Sequence, residues 1–121
     1  MRAWKISDVN LKSTGTTVIV PAMNGVKFVV GPAPIVVIKT IDTVGVYPTV
    51  SIGTSNTFNN ITAATAIATV TAAEQIFNLS VVGVGTKVRI DLTNNPIYLN
   101  VSIGATATTL TADVYIFGVL D

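Results

Sequence analysis

Hydrophobic and polar positions alternate most cleanly near the end of the chain. Ile97, Leu99, Val101 and Ile103 alternate with Tyr98, Asn100, Ser102 and Gly104, the two-residue period of a strand with one buried face. After the segment Ala105 to Thr111, the run Ala112 to Leu120 is apolar on both sides. Val114, Ile116 and Leu120 point one way, and Tyr115, Phe117 and Val119 the other. Such a strand belongs at the centre of a two-layer core or at a contact between subunits. The Ala- and Thr-rich connection predicts an antiparallel hairpin between the two, with its register open.

Upstream, punctuation by Gly, Pro and Asn marks further strands. Thr16 to Val20 is stopped by Pro21, and Asn24-Gly25 is a hairpin turn signal with Val26 to Val30 as the return strand. Gly31-Pro32-Ala33-Pro34 has two residues without an N–H and reads as a rigid crossing loop. Ile35 to Ile41 follows, and Asp42-Thr43 turns the chain. Val44, Val46, Val50 and Ile52 share one parity, interrupted by Pro48, which suits an edge strand or a bulge. Gly53 to Asn60 is a polar loop whose Phe58 must tuck inward. The stretch Thr62 to Phe77 is the one helix candidate, with Thr71 and Glu74 spaced as a capping box. Its threonines and thin apolar stripe instead predict a strand near Ala66 to Val70 and a turn near Thr71 to Glu74. Ile76 to Val82 and Thr86 to Leu92 are strands about a turn flanked by Gly83 and Gly85. In the second, Val88, Ile90 and Leu92 face in, while Lys87, Arg89 and Asp91 face out.

Composition agrees with this pattern. The chain holds 19 Val, 13 Ile and 18 Thr against 6 Leu, and stiff β-branched side chains fit a pleated sheet better than a helix. The expectation is an all-β single domain over residues 1–121: a two-sheet antiparallel sandwich, jelly-roll-like, with eight to ten short strands. Charged residues make up 11% of the chain, less than half of the roughly 25% usual in soluble domains. A surface so poor in charge is either clothed in Thr, Ser, Asn and Ala or hidden against other chains. The net charge of +1 comes with no basic run, which argues against a nucleic-acid partner. The longest aliphatic run, Ile35 to Ile38, is too short for a membrane span.

Candidate chemistry is sparse. The chain has no Cys and no His, so neither a disulfide, a zinc cluster nor a His-dependent triad is expected. No cofactor is called for. Gly83-Val84-Gly85 lacks the third glycine and the helix of a dinucleotide fingerprint. Asp91 with Asn94 and Asn95 offers a single carboxylate to a calcium ion. Asp8, Asp42, Glu74, Asp91, Asp113 and Asp121 are scattered, and nothing in the sequence proposes that two converge for acid–base work. No catalytic site is expected.

The aromatic residues leave two readings open. Tyr47, Tyr98, Tyr115 and Trp4 suit a sugar-stacking platform, with Asn95 and Asn100 as polar neighbours of Tyr98, but interface tyrosines look the same from sequence. Residues 1–13 hold Arg2, Lys5, Asp8 and Lys12 together with the only Trp. They read either as a first edge strand or as a docking arm with Trp4 as anchor. Arg2, Trp4, Lys5, Tyr98, Tyr115 and Phe117 are the candidate protein-interface residues. After the opening charged residues no apolar segment follows, so no signal peptide is expected.

A resemblance enters in the second half. Val50-Ser51-Ile52-Gly53-Thr54, Phe58-Asn59-Asn60-Ile61, Gly85-Thr86-Lys87-Val88-Arg89-Ile90, Tyr98-Leu99-Asn100-Val101 and the stretch Ala105 to Gly118 resemble small structural proteins of tailed bacteriophages. The chain is similar in particular to the jelly-roll decoration, or cement, proteins on the outside of the head. Phage fibre and receptor-binding domains share much of the pattern. The resemblance covers roughly residues 46–120 and rests on an Ala-Thr turn, an aromatic strand and a closing Gly. It implies a non-enzymatic virion protein, made in the host cytoplasm. Such a protein sits on the outer capsid surface, bridges neighbouring major capsid subunits and assembles with itself as a homodimer or homotrimer.

Overall fold

The computed structural model describes residues 1–55, 57–82 and 89–121 and contains ten strands and no helix among them. The strands are β1 (Arg2–Asn10), β2 (Gly15–Val20), β3 (Lys27–Val30), β4 (Ile35–Ile41), β5 (Thr49–Gly53), β6 (Thr62–Ala66), β7 (Ile76–Asn78), β8 (Arg89–Asp91), β9 (Ile97–Ile103) and β10 (Leu110–Leu120). All pairings between them are antiparallel. They form two sheets. Sheet A holds β1, β10, β3, β4, β7 and β8, and sheet B runs β2-β9-β5-β6.

The ten strands occupy eight lanes. One flank of β10 pairs with β1. The other pairs with β4 and then β3, laid end to end. Val30 lies opposite Gly118 and Ile35 opposite Tyr115, so Gly31 to Pro34 interrupt one continuous lane. The two prolines supply no N–H to a ladder, yet the chain does not cross here as the sequence suggested. Gly31 still donates to the Phe117 carbonyl at 2.8 Å, and the Pro34 carbonyl accepts from Leu79 at 2.8 Å. The next lane is likewise divided, β7 pairing with β4 and β8 with β3.

Counted by lanes, the first pairs with the last, the second with the seventh, the third with the sixth and the fourth with the fifth. That is one long antiparallel hairpin rolled into a sandwich, the jelly-roll arrangement.

This topology corrects two expected hairpins. Asn24-Gly25 does turn, with Gly25 at φ 71° and Val26 N–H bonded to Met23, but it carries the chain from sheet B to sheet A. Ala105 to Thr109 does the same between β9 and β10, which never pair. Turn residues fix local φ and ψ; they do not choose the partner strand.

The middle of the chain also departs from expectation. The strand near Ala66 to Val70 lies earlier, at Thr62–Ala66. There Thr62 Oγ1 accepts the Ile52 N–H at 2.9 Å across a bulge, and Ile67 donates to the Pro48 carbonyl. Val44 and Val46 belong to a loop rather than to β5, because Gly45 and Val46 donate to the carbonyl and hydroxyl of Thr106. The strand expected over Ile76 to Val82 keeps only its first three residues, with a lone bridge from Val81 to Thr62. Of Thr86 to Leu92, Arg89–Asp91 is strand, and the turn about Gly83 and Gly85 falls outside the described residues.

The core lies between the sheets. Phe28, Val36, Ile38, Leu110, Ala112, Val114 and Ile116 from sheet A meet Val20, Val50, Ile52, Ile97, Leu99 and Val101 from sheet B, all essentially solvent-free. The alternation read in β9 and β10 therefore holds, except that Ile103, in register with Thr49 past a bulge in the β5–β9 pairing, is 52% exposed. Among the described residues no buried side-chain polar atom lacks a hydrogen-bond partner.

Candidate functional site

Charge is divided unequally between the two faces of the sandwich. None of the residues of β2, β5, β6 and β9 is charged, so sheet B is clothed in Thr, Ser, Asn, Ala, Val and Tyr. Its outer face presents Thr16 and Val18 beside Asn100 and Tyr98, with Val18 42% exposed. Part of that face is covered by the chain itself. The loop after Gly53 folds back so that Phe58, at φ 53°, packs edge-on against Tyr98 with centroids 5.2 Å apart. Ser51 Oγ donates to the Phe58 carbonyl at 2.7 Å, and the Asn60 side chain clamps Thr54 through both its N–H and its hydroxyl. A side chain at Gly53 would collide with this loop, which is why a glycine stands there.

Sheet A carries most of its charge in two clusters at opposite ends of its outer face. At one end β1 bulges between Ile6 and Val9 with Asp8 at φ 57°. The bulge aims the Asp8 N–H at Asp113 Oδ1, 3.0 Å away, and its carboxylate at Lys39 Nζ, 2.9 Å away. Lys5 Nζ completes the group 3.5 Å from Asp113. The Asp8 N–H foremost, then burial opposed by Lys5 and Lys39, leaves Asp113 below its ordinary 3.8. The hydroxyl of Tyr115 and the Asp113 carboxylate raise Lys5, and Asp8 raises Lys39. No local pattern along the chain brings Asp8 and Asp113 together; the bulge does. Asp113, facing Lys5 and pushed down rather than up, is not the raised carboxyl that general-acid work needs.

At the other end Lys27 stands in register with Asp91, and Arg89 is bonded to Asp121. Asp91 Oδ1 accepts the Thr93 N–H, which lowers the Asp91 pKa, and the Asp91 carbonyl accepts from Asn95. Asp91 and the Asn95 side chain thus hold together the turn through Thr93 and Asn94. Among the described residues no three His, Cys, Asp or Glu gather as metal ligands.

The candidate interface residues do not form one patch. Tyr115 and Phe117 stack in parallel on the outer face of sheet A, centroids 6.5 Å apart, and Lys5 lies over the Tyr115 ring. Trp4 is on the inner side, in register with Ile116 and edge-on to Phe28 at 5.1 Å, with the Arg2 guanidinium 4.6 Å from its ring. Residues 2–10 are thus laid along β10 as an edge strand. Tyr98 is on the other sheet. Trp4, Tyr98 and Tyr115 accordingly share no platform. Tyr47, 37% exposed, lines a separate open groove of about 430 Å³ with Ile41, Asp42, Val44, Val70 and Thr71.

Fold and surface together define a jelly-roll β-sandwich with one charged and one uncharged sheet. Comparisons with family models, with curated proteins and with solved structures returned no match. No helix among the described residues is long and apolar enough to cross a membrane.

Proposed function

We propose that this chain is a structural virion protein that decorates and cements the outside of a phage head by bridging neighbouring major capsid subunits. The observation that carries the reading is the charge-free sheet B. Interface centres are depleted of charge, and a face made of Thr, Ser, Asn, Val and Tyr is cheap to desolvate against protein. The resemblance of residues 46–120 to cement proteins supplies the setting, and a jelly roll suits it. Many weak copies suffice, because an oligomer touching several subunits gains through effective concentration.

The test is co-sedimentation with heads assembled without the chain. The chain binds and raises the temperature at which heads release their contents. Val18→Lys and Asn100→Lys, which place a cation on the outer face of sheet B, weaken binding at least tenfold while circular dichroism is unchanged. A wild-type chain left in the supernatant, with heads no more robust, would overturn the reading.

A second reading, a fibre or receptor-binding domain that recognises a host glycan, is favoured by the groove beside Tyr47, which Asp42, Thr43 and Thr71 also line. Glycan-array binding lost in Tyr47→Ala would support it.

A further inference from the structure

Asn24 is the one asparagine in the chain followed by glycine, and the pair stands exposed at the turn between β2 and β3. This dipeptide carries latent chemistry. The Gly25 nitrogen can close a five-membered ring on the Asn24 carboxamide carbon, and a glycine has no Cβ to shield that nitrogen. The space beside Gly25 is open, since even a Cβ built there would meet nothing within 4 Å.

The fold holds this chemistry back. Gly25 has φ 71°, Asn24 lies outside the left-handed region, and the Val26 N–H is bonded to the Met23 carbonyl at 3.2 Å. That combination is a type II turn, which sets ψ of its second residue near about +120°. The Gly25 nitrogen is thereby swung away from the side chain, whereas ring closure needs it eclipsed with Cβ. The N–H that must be lost is itself donated to Thr93 Oγ1 at 3.0 Å. Both flanks of the turn are tied to one residue: Met23 donates to the Leu92 carbonyl and Leu92 donates to the Val26 carbonyl, each at 2.9 Å.

We propose that Asn24-Gly25 is a self-modification site whose rate is set by opening of this turn, with the Thr93 hydroxyl as its latch. Once the turn opens, the Gly25 N–H gives its proton to hydroxide and the nitrogen attacks Asn24 Cγ. The N–Cγ bond forms, the Cγ–Nδ2 bond breaks, and Nδ2 leaves as ammonia with a proton taken from water. Water then opens the cyclic imide at either carbonyl. Cleavage at Cγ leaves an aspartate. Cleavage at the backbone carbonyl leaves an isoaspartate, whose main chain runs through Cβ and Cγ and is one atom longer. Nothing is oxidised or reduced. The longer chain no longer fits between Met23 and Val26 while both are held by Leu92, so the arch from sheet B to sheet A loosens and does not reclose. Thr93 acts here as a positioning residue, and no capsid partner is needed.

Timed incubation of the full chain at mildly alkaline pH, read by peptide mass spectrometry and by enzymatic methylation of isoaspartate, tests it. Asn24 should convert ahead of every other asparagine, and at least tenfold faster in the urea-unfolded chain than in the folded one. Thr93→Ala should speed conversion of the folded chain about threefold to tenfold, the worth of one lost hydrogen bond, and Thr93→Ser should keep the wild-type rate. Hydrogen exchange at the Gly25 amide should quicken by the same factor in Thr93→Ala, because both report the same local opening. Gly53→Ala, which disturbs the loop on sheet B instead, should leave the rate at Asn24 unchanged. Equal rates in the folded and unfolded chain, a Thr93→Ala chain that converts no faster, acceleration by Gly53→Ala as large as by Thr93→Ala, or an Asn24 that stays intact even when unfolded would overturn the proposal.

Discussion

Replacing Gly118 by alanine should cost this fold about 1–2 kcal/mol. Gly118 sits in β10 opposite Val30 on one side and Arg2 on the other. A Cβ there would stand 2.5 Å from the Val29 carbonyl oxygen and 2.7 Å from the edge of the Phe28 ring. The ring has nowhere to go. Phe28 is fully buried, and Trp4 packs edge-on against it at 5.1 Å. Either the ring leaves its rotamer and dislodges Trp4, or β10 moves away from β3. Overpacking of this kind costs roughly 1–3 kcal/mol, and the stiffer unfolded chain returns about 0.4–1 kcal/mol. Gly118 does not have a positive φ, so the penalty measures space alone. Urea unfolding at one fixed protomer concentration gives the number with association held constant, and the melting temperature should fall by about 4–8 °C. Phe28→Leu alone should cost about 1–2 kcal/mol. In the double variant the shorter side chain leaves room for the methyl group, so a coupling of at least about 1 kcal/mol in favour of the pair is expected. A Gly118→Ala chain within about 0.5 kcal/mol of wild type, or strict additivity, would refute the packing argument.

Other perturbations address the surface. Gly53→Ala places a Cβ 2.6 Å from the backbone at Phe58 and Asn59, so the loop must lift from sheet B. Limited proteolysis there should accelerate, with a loss of about 1–3 kcal/mol by urea unfolding. The Asp113 pKa is depressed on folding, so its contribution is complete above the unfolded value of 3.8 and disappears as pH falls through the folded one. Lys5 and Lys39 are raised, so theirs persists below 10.5 and is lost as pH climbs through their folded values. Stability should therefore be level between these limits. Asp113→Asn should lower that plateau and flatten the acid limb in melts across pH, and an unchanged acid limb would contradict the cluster's geometry.

The one-dimensional pattern carried the strands well and their partners poorly. Parity alone placed Leu99, Val101, Val114 and Ile116 in the core, because a pleated strand between two layers has no other way to sort its side chains. Which sheet each strand joins was not legible. A tight turn such as Asn24-Gly25 serves a hairpin or an arch between sheets equally, and only the packing of the whole chain decides. The Asp8 to Asp113 contact spans 105 residues and needs a bulge to aim it. No local signal announces either condition. Composition revealed how little charge the chain has, but its confinement away from sheet B appears only once β2, β5, β6 and β9 are seen side by side. The same holds for the aromatics. Tyr98 and Tyr115 look equivalent in sequence, yet one packs edge-on against Phe58 on sheet B and the other stacks beside Phe117 beneath Lys5 on sheet A.

The most direct test of this protein as a brace is a cryo-electron microscopy reconstruction of phage heads bearing it. The account predicts sandwich-shaped density over the junctions between capsid subunits, with the uncharged face of β2, β9 and β5 turned toward them. Density only at a fibre or tail tip, with the Tyr47 groove facing outward, or heads that carry no trace of the chain, would contradict it.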